Sequence, residues 1–191
     1  MNKADIDFAE GQVNPGSIGD VVYAAFKSDI QAFPTISDDY ESAADAEALA
    51  CLTGNFTMKT GKVFVRLYNT TGEGNLSYET VGEKDGKMFK NNLEMKYPKI
   101  TDDIRAYAKF TVNTNVIYVV KHAGKFYLLG NADYQVETST SGDTGKKPED
   151  AHGITLNASV IDTTPLPRYL GTLPLADGSL NCETGVFTPS N

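Results

Sequence analysis

The sequence has few of the side chains from which metal sites and nucleophile sites are built. It contains two histidines, two cysteines and no tryptophan. The cysteines, Cys51 and Cys182, lie far apart, and no Cys or His residues show the short ligand spacing of a zinc site. We therefore predict no metal and no cofactor. The lack of tryptophan also weakens the case for a sugar-stacking surface.

Long apolar runs are missing as well. The mean hydropathy is −0.31, and no stretch is long and apolar enough to predict a membrane span. The N-terminal stretch MNKADIDFAEGQVNPG lacks the apolar core of a signal peptide. We predict a protein made in the cytoplasm without export. Its cysteines then stay reduced, with Cys51 packed as a small apolar residue.

Basic charge is scarce. The chain has 17 Lys and Arg against 25 Asp and Glu, which gives a net charge of −8 at pH 7. Proteins that grip nucleic acid displace its counterions with lysine and arginine, so this balance argues against a nucleic-acid-binding protein. Acids concentrate in residues 28–47 and lysines in residues 84–99. Each cluster is either a solvated face or one half of a contact between copies of the chain.

One stretch, TSTSGDTGKKPEDAHG at residues 138–153, combines glycines, lysines and a histidine. A phosphate-binding loop needs a longer gap between its glycines, Ser or Thr after its lysine, and a following helix. Here two residues separate Gly142 from Gly145, Lys147 follows Lys146, and the next segment alternates like a strand. The stretch predicts a loop between two strands, and we expect residues 141–150 of it to contact another copy rather than a ligand.

No residue pattern indicates catalysis. His122 and His152 have no Ser or Cys partner in a recognisable nucleophile turn. The pairs Asp38–Asp39 and Asp102–Asp103 fit the acidic first turns of helices. A pair of glycosidase carboxylates stays open, because its members need not be adjacent in sequence. We predict that the protein is not an enzyme.

Alternation of apolar and polar residues dominates the chain and predicts strands. Residues 62–69 and 75–82 flank the turn-rich stretch TTGEG and are predicted to form a hairpin, which residues 56–58 extend into a meander. Residues 115–131 are predicted to form a second hairpin across HAGK. Further strands are predicted at residues 18–26, 91–98, 134–140 and 153–161.

Two segments have helical patterns. Residues 36–55 offer Ser37 as an N-cap, an Ala-rich body and Gly54 as a stop, although a loop also fits this composition. Residues 101–112 begin with Thr101 as an N-cap and place Ile104, Tyr107 and Ala108 on one stripe.

The chain changes character after Asp162. Four of its eight prolines lie beyond this point, and proline disfavours helices and interior strands. We predict a β-rich domain over residues 1–171 and an extended arm over residues 172–191. The arm carries large apolar residues, so it is expected to dock either on its own sheet or on a neighbouring copy.

The order and wording of these segments resemble the major tail tube proteins of long-tailed bacteriophages. The resemblance covers about residues 54–171. It includes GNFTMKTGKVFVRLYNTTGEGNLSYETVGEKDGKMFKNNLEMKYP, then an acid-started helix, then VIYVVKHAGKFYLLGN, a Ser/Gly/Asp-rich loop, another strand and PRYLG. It implies two packed antiparallel sheets, sandwich-like or barrel-like, flanked by one helix.

The resemblance also implies a function. Tail tube subunits form rings, usually hexamers, which stack into a tube through which DNA leaves the capsid. The expected location is the virion tail, and the expected partners are further copies, other tail proteins and DNA that passes without specific binding. A monomeric β-sandwich that recognises carbohydrate or another surface is the alternative. The residues expected at contacts between subunits are Ser141, Gly142, Asp143, Thr144, Gly145, Lys146, Lys147, Leu173, Leu175 and Phe187.

Overall fold

The computed structural model describes residues 13–37, 47–147 and 149–190. The chain is mainly β, with 47% strand and 8% helix, and its antiparallel sheets do not close into a barrel. This confirms the predicted mainly β, sandwich-like fold with one α-helix. The elements, in chain order, are β1 (Val21–Phe26), β2 (Ile30–Ala32), β3 (Cys51–Leu52), β4 (Thr57–Met58), β5 (Val65–Tyr68), β6 (Asn75–Val81), β7 (Met88–Tyr97), α1 (Asp102–Thr111), β8 (Val116–His122), β9 (Lys125–Leu129), β10 (Glu137–Asp143), β11 (Gly153–Asp162), β12 (Arg168–Tyr169), β13 (Thr172–Leu175), β14 (Gly178–Asn181) and β15 (Phe187–Pro189).

A six-stranded sheet forms one layer, in the order β3-β12-β9-β8-β1-β5. Its centre is β8, whose first five residues, VIYVV, are all buried. The predicted hairpin between β8 and β9 is confirmed. Ala123 and Gly124 form its two-residue turn with φ of 48° and 78°, the left-handed geometry that fits the twist of a hairpin.

A four-stranded sheet forms the second layer, in the order β10-β11-β7-β6 with every pair antiparallel. Alternate residues of β7 and β11 point into the core, among them Leu93, Met95, Leu156 and Val160. The intervening residues Lys90, Asn92, Glu94 and Lys96 of β7, and Thr155, Asn157 and Ser159 of β11, are polar, which is the pattern of a sheet with one covered face.

The helix α1 closes one side of the space between the layers. Thr101 caps it as predicted, since its hydroxyl accepts from the Ile104 amide at 3.5 Å. The helix packs against β10. Ile100, just before α1, approaches Gly142 near the end of β10. Asn115, beyond the other end of the helix, accepts the Val136 amide at 3.0 Å just before β10 begins. Therefore α1 runs alongside β10 on its core side.

The hairpin predicted from residues 62–69 and 75–82 is wrong. β5 pairs with β1, whereas β6 pairs with β7, so the two strands belong to different sheets. The residues between them carry the chain from one sheet to the other, and the side chain of buried Asn69 fixes this crossing. It donates to the Gly19 carbonyl at 3.2 Å and accepts the Lys96 amide at 3.0 Å.

One further prediction fails, and a second fails at the end of it that the structure describes, because residues pair with distant strands. Residues 57–58 form β4 and pair with β2 rather than extending a meander. Of the predicted helix at 36–55, residues 38–46 lie outside the described part of the chain. Residues 47–50 form a single turn, and Cys51 and Leu52 pair with β12 at the sheet edge.

The predicted extended arm is replaced by a third sheet, in the order β13-β14-β15. The link between β13 and β14 is the two-residue turn Ala176-Asp177, and Gly178 follows it as the first residue of β14. Pro174 is compatible with this sheet because its carbonyl points away from β14 and accepts the Phe64 amide at 3.0 Å, so its missing N–H removes no hydrogen bond to β14. The sheet contributes Leu173, Leu175 and Leu180 to the core of its own chain, and Cys182, directly after β14, joins them.

Candidate self-assembly surface

The described residues contain no group of three or more His, Cys, Asp or Glu that could hold a metal ion. Cys51 and Cys182 are buried free thiols. Burial raises the pKa of the Cys182 thiol to about 12, so this sulfur is protonated at neutral pH and is a poor nucleophile. His122 places Nδ1 2.6 Å from the Ser17 carbonyl oxygen, which fixes the start of the described chain against β8.

The loop after β10 is held by carboxylates of the chain itself. Asp143 accepts the Gly145 amide at 2.9 Å, and Asp150 accepts the amides of Lys146 and Lys147, each at 2.9 Å. A phosphate cradle requires backbone amides that point at the ligand. Here the amides that could serve are already donated to aspartates, so the loop has the geometry of a hairpin connection.

The structure separates the predicted contact residues into three groups. Ser141, Gly142 and Asp143 belong to β10, which extends three residues beyond the predicted strand end at residue 140. Residues 144–147 follow in the loop and are mostly exposed. From the tail, Leu173 and Leu175 are 0% and 6% exposed in the chain's own core, so as folded they are not available to a partner. Phe187 is exposed, with the Arg66 guanidinium 5.3 Å from its ring centre.

The outward side of the four-stranded sheet is a broad polar surface, which we call the polar face. A shallow trough of about 460 Å³ crosses it and touches all four strands. Val81, Met88 and Ile161 face outward at one end of the sheet, and the rest of the outward surface is polar or charged: Asn75, Ser77, Glu79, Lys90, Asn92, Glu94, Lys96, Glu137, Ser139, Ser141, Thr155, Asn157 and Ser159.

The charges of the polar face are acidic on balance. Lys90 lies directly across from Glu79 in the β6–β7 register, and the Lys96 Nζ lies 3.3 Å from a Glu73 carboxylate oxygen. Both lysines therefore have a carboxylate beside them. Glu94 and Glu137 add further negative charge. A polyanion near this surface meets repulsion and small neutral groups, with no row of cations to hold it.

The two outer strands of this sheet, β6 and β10, have free edges in the described part of the chain. Each is seven residues long and pairs on one side only. The edges of the other main sheet are protected differently. β3 has two residues, and the residue before β5, Phe64, bridges to Leu175 of the small sheet. Long free edges are templates for pairing with another chain, so β6 and β10 are the best candidates for contacts.

Sequence reasoning placed the strand now seen as β6 nearly correctly but missed its importance. Its free edge arises because β5 pairs elsewhere, and nothing in the strand itself announces that choice. It also missed Tyr78, which lies on the core side of β6 yet is 53% exposed. The alternation pattern assigns the side of this tyrosine, but the extent of the covering layer decides its exposure.

No protein-family model, curated protein or solved structure shows significant similarity to the chain. The single helix among the described residues is too short and too polar to cross a bilayer. The fold and its surface define a class, namely a mainly β protein with a polar-faced sheet open at both edges.

Proposed function

We propose that this chain is a structural subunit that assembles into rings, which stack into a tube of the kind found in the tails of long-tailed bacteriophages. The observation that carries the proposal is the pair of free edges, β6 and β10, on one sheet with a polar outer face. The resemblance of residues 54–171 to tail tube proteins supports the same assignment. Further copies, other tail proteins and passing DNA are the proposed partners.

The directions of the strands favour head-to-tail assembly. Because the sheet has four antiparallel strands, β6 and β10 run in opposite directions. A copy related by rotation about an axis parallel to the strands therefore places its β10 antiparallel to β6 of the first copy. Each copy then offers one edge of each kind. Such a head-to-tail contact closes into a ring when the rotation divides a full turn.

The shape of the chain supports a proposal for which side faces inwards. The core side of the four-stranded sheet carries the six-stranded sheet, α1 and the small sheet. This bulk fits only on the outside of a closed ring, so the polar face lines the lumen. Six copies would supply about 24 strands, more than the 16–18 of porins, whose barrels already enclose a water-filled channel.

The electrostatics of the polar face suit a DNA conduit. A lumen lined by lysines would hold DNA by releasing its counterions. The Asn, Ser and Glu side chains of this surface offer no such attraction, and the two lysines lie beside carboxylates. DNA therefore passes along the wall without being held.

The first experiment is electron microscopy of the purified chain in negative stain, together with light scattering. We expect rings or tubes. A protein that stays at the monomer mass of 20.7 kDa at every concentration would contradict the proposal.

Hydrogen exchange then tests the edges. In assemblies, amides of β6 and β10 should exchange more slowly than in dissociated subunits, because new strand pairing protects them. The central strand β8 is the internal control and should be equally protected in both states. Assemblies in which β6 and β10 exchange as fast as in free subunits would show that contacts form elsewhere.

A further inference from the structure

An aromatic pair lies uncovered beside the free edge of β6. Tyr78 is 53% exposed, and its ring meets that of Phe89 at a centre distance of 6.0 Å and an interplanar angle of 72°. The β6–β7 register places Tyr78 on the same side as Leu93, which is 2% exposed in the core. The core side of the sheet therefore continues past the layer that covers it, and among the described residues the Tyr78 ring stays largely uncovered.

The position of this pair restricts what can cover it. An occupant that reaches Tyr78 from the open side also meets the unpaired backbone groups of β6. Burying those groups without hydrogen bonds is costly, so a suitable occupant supplies a strand as well as an apolar surface above it. An isolated apolar helix or a small ligand would satisfy only the ring.

The opposite edge of the same sheet provides both. β10 is a free strand of opposite direction to β6, and α1 packs along its core side. The helix also carries a large uncovered aromatic residue, because Phe110 is 66% exposed. A β10 edge that pairs with β6 brings α1 to the core side of β6, where Tyr78 lies.

We propose that Tyr78 with Phe89 on one copy, and Phe110 of α1 on the next, form the apolar half of a head-to-tail contact whose polar half is β6 paired with β10. The inference rests on the proposed ring and names its contact residues. One contact of this kind covers both uncovered aromatic surfaces. A two-fold contact of β6 with β6 would cover Tyr78 but leave Phe110 in water, so the head-to-tail arrangement buries more apolar area.

Two variants test the two sides of the contact, Tyr78→Ser and Phe110→Ser. Each should weaken self-association by about tenfold or more, as loss of an aromatic anchor at an interface does. Thermal unfolding of the dissociated subunits should change little, since both residues are largely exposed. Tyr68→Ser is the matched control for the first variant. Tyr68 is 46% exposed on the strand β5, and its ring centre lies 6.4 Å from that of Tyr97. Its replacement by Ser should nevertheless leave association unchanged. Val112→Ser is the control on the helix side.

Mixing the two variants separates the possible arrangements. Tyr78→Ser keeps the Phe110 side of the contact, and Phe110→Ser keeps the Tyr78 side. At a concentration where each variant alone is monomeric, an equimolar mixture should therefore form a dimer with one intact contact. If Phe110→Ser assembles normally and the mixture forms no new dimer, the head-to-tail contact is wrong. If wild type assembles and Tyr78→Ser assembles equally well, this inference fails while the proposed ring stands. A wild type that never assembles overturns both.

Discussion

The two main sheets of this protein differ in how their edges are protected. The six-stranded sheet ends in the two-residue strand β3 on one side, and on the other its end near β5 is bridged to the small sheet. Its central strand is buried throughout its first five residues. The four-stranded sheet is covered on one side only and ends in two free strands of seven residues each.

This difference distinguishes the covered surfaces, which stabilise the folded subunit, from the free edges and the polar face, which we propose for assembly. Free edges and a wide polar face contribute little to the stability of a single subunit. Natural proteins usually block long edges, because these invite unwanted pairing. For the two edges of opposite direction that are free in the described part of the chain, we propose a partner with the same two edges.

The largest effect is expected from removing residues 172–191. Their buried side chains, Leu173, Leu175 and Leu180, each contribute about 1.5–3 kcal/mol on burial, a large part of a typical net stability of about 5–15 kcal/mol. We expect the truncated chain to lose cooperative thermal unfolding in circular dichroism. If the truncated chain folds normally, the small sheet is not needed for folding, and the protection of the six-stranded sheet by the small sheet is wrong.

Single substitutions sharpen this test. Leu173→Ala should lower the free energy of unfolding by about 2–5 kcal/mol in denaturant titrations, because it leaves a cavity at a fully buried position. The exposed Val186, next to the same sheet, is the control, and Val186→Ala should change stability by no more than about 0.5 kcal/mol. Equal effects at the two sites would show that the small sheet is not packed as described.

The next largest effect is expected from alkaline pH, which should destabilise the folded chain through three tyrosines. Burial raises the pKa values of Tyr107, Tyr118 and Tyr169 above the usual value of 10.0. In the unfolded chain these groups ionise near pH 10, whereas in the folded chain they stay neutral. The free energy of unfolding therefore has its full value below pH 10. Above pH 10 it falls by up to about 1.4 kcal/mol per tyrosine for each pH unit, until the pH reaches the pKa that this tyrosine has in the folded chain.

The measurement is denaturant unfolding from pH 8 to 11, with phenolate absorbance recorded alongside. The absorbance of these tyrosines should appear together with unfolding. Triple replacement by Phe is the control and should flatten the fall in stability above pH 10. A wild-type curve that stays level to pH 11 would contradict the burial of these hydroxyls.

The adjacent residues Asn91 and Asn92 lie on opposite sides of the four-stranded sheet, so substituting each in turn compares the core side with the polar face. Asn91 is fully buried, donates to the Thr164 carbonyl at 3.0 Å and accepts the Leu166 amide at 3.0 Å. Asn91→Ala leaves both groups without a partner and should cost about 1–3 kcal/mol. Asn92→Ala, on the polar face, should be nearly neutral in the same denaturant titration. A reversed order would mean that the register of β7 is shifted by one residue.

The smallest effect is expected at the surface. Arg66 lies 3.0 Å from Asp177, and the hydrogen bond from Arg66 lowers the pKa of the Asp177 carboxyl. This contribution is present above pH 4 and is lost as the pH falls through the lowered value. Because both groups are exposed, Arg66→Ala should shift the melting temperature only slightly and less at high salt. A large, salt-independent shift would point to the Phe187 contact instead.

Local patterns in the sequence predicted the elements whose partners are near in the chain. The cap at Thr101, the helix at α1 and the hairpin of β8 and β9 are all confirmed. Each depends on residues within a few positions of one another. The predicted hairpin of residues 62–69 and 75–82 failed because the link at residues 69–74 has turn chemistry but spans two sheets. Turn residues permit a reversal without specifying which strands then pair.

The candidate surface was predicted only in part. Residues 141–147 were expected at a contact; the first three lie in the free strand β10 and the others follow it, but the role of β6 was not foreseen. Leu173 and Leu175 were expected at a contact and lie in the core of the chain. Their apolar character showed that they must be covered, and the sequence left open whether their own chain or a neighbour would cover them.

By itself, the sequence determined that this is a mainly β protein with an acidic balance and one capped helix. These properties follow from composition and from the side-chain period of a strand, which are local. Only the tertiary structure decided which strands pair, which edges stay free and which apolar residues are covered. Those outcomes depend on contacts between segments distant in the chain, whose free energies no local pattern contains.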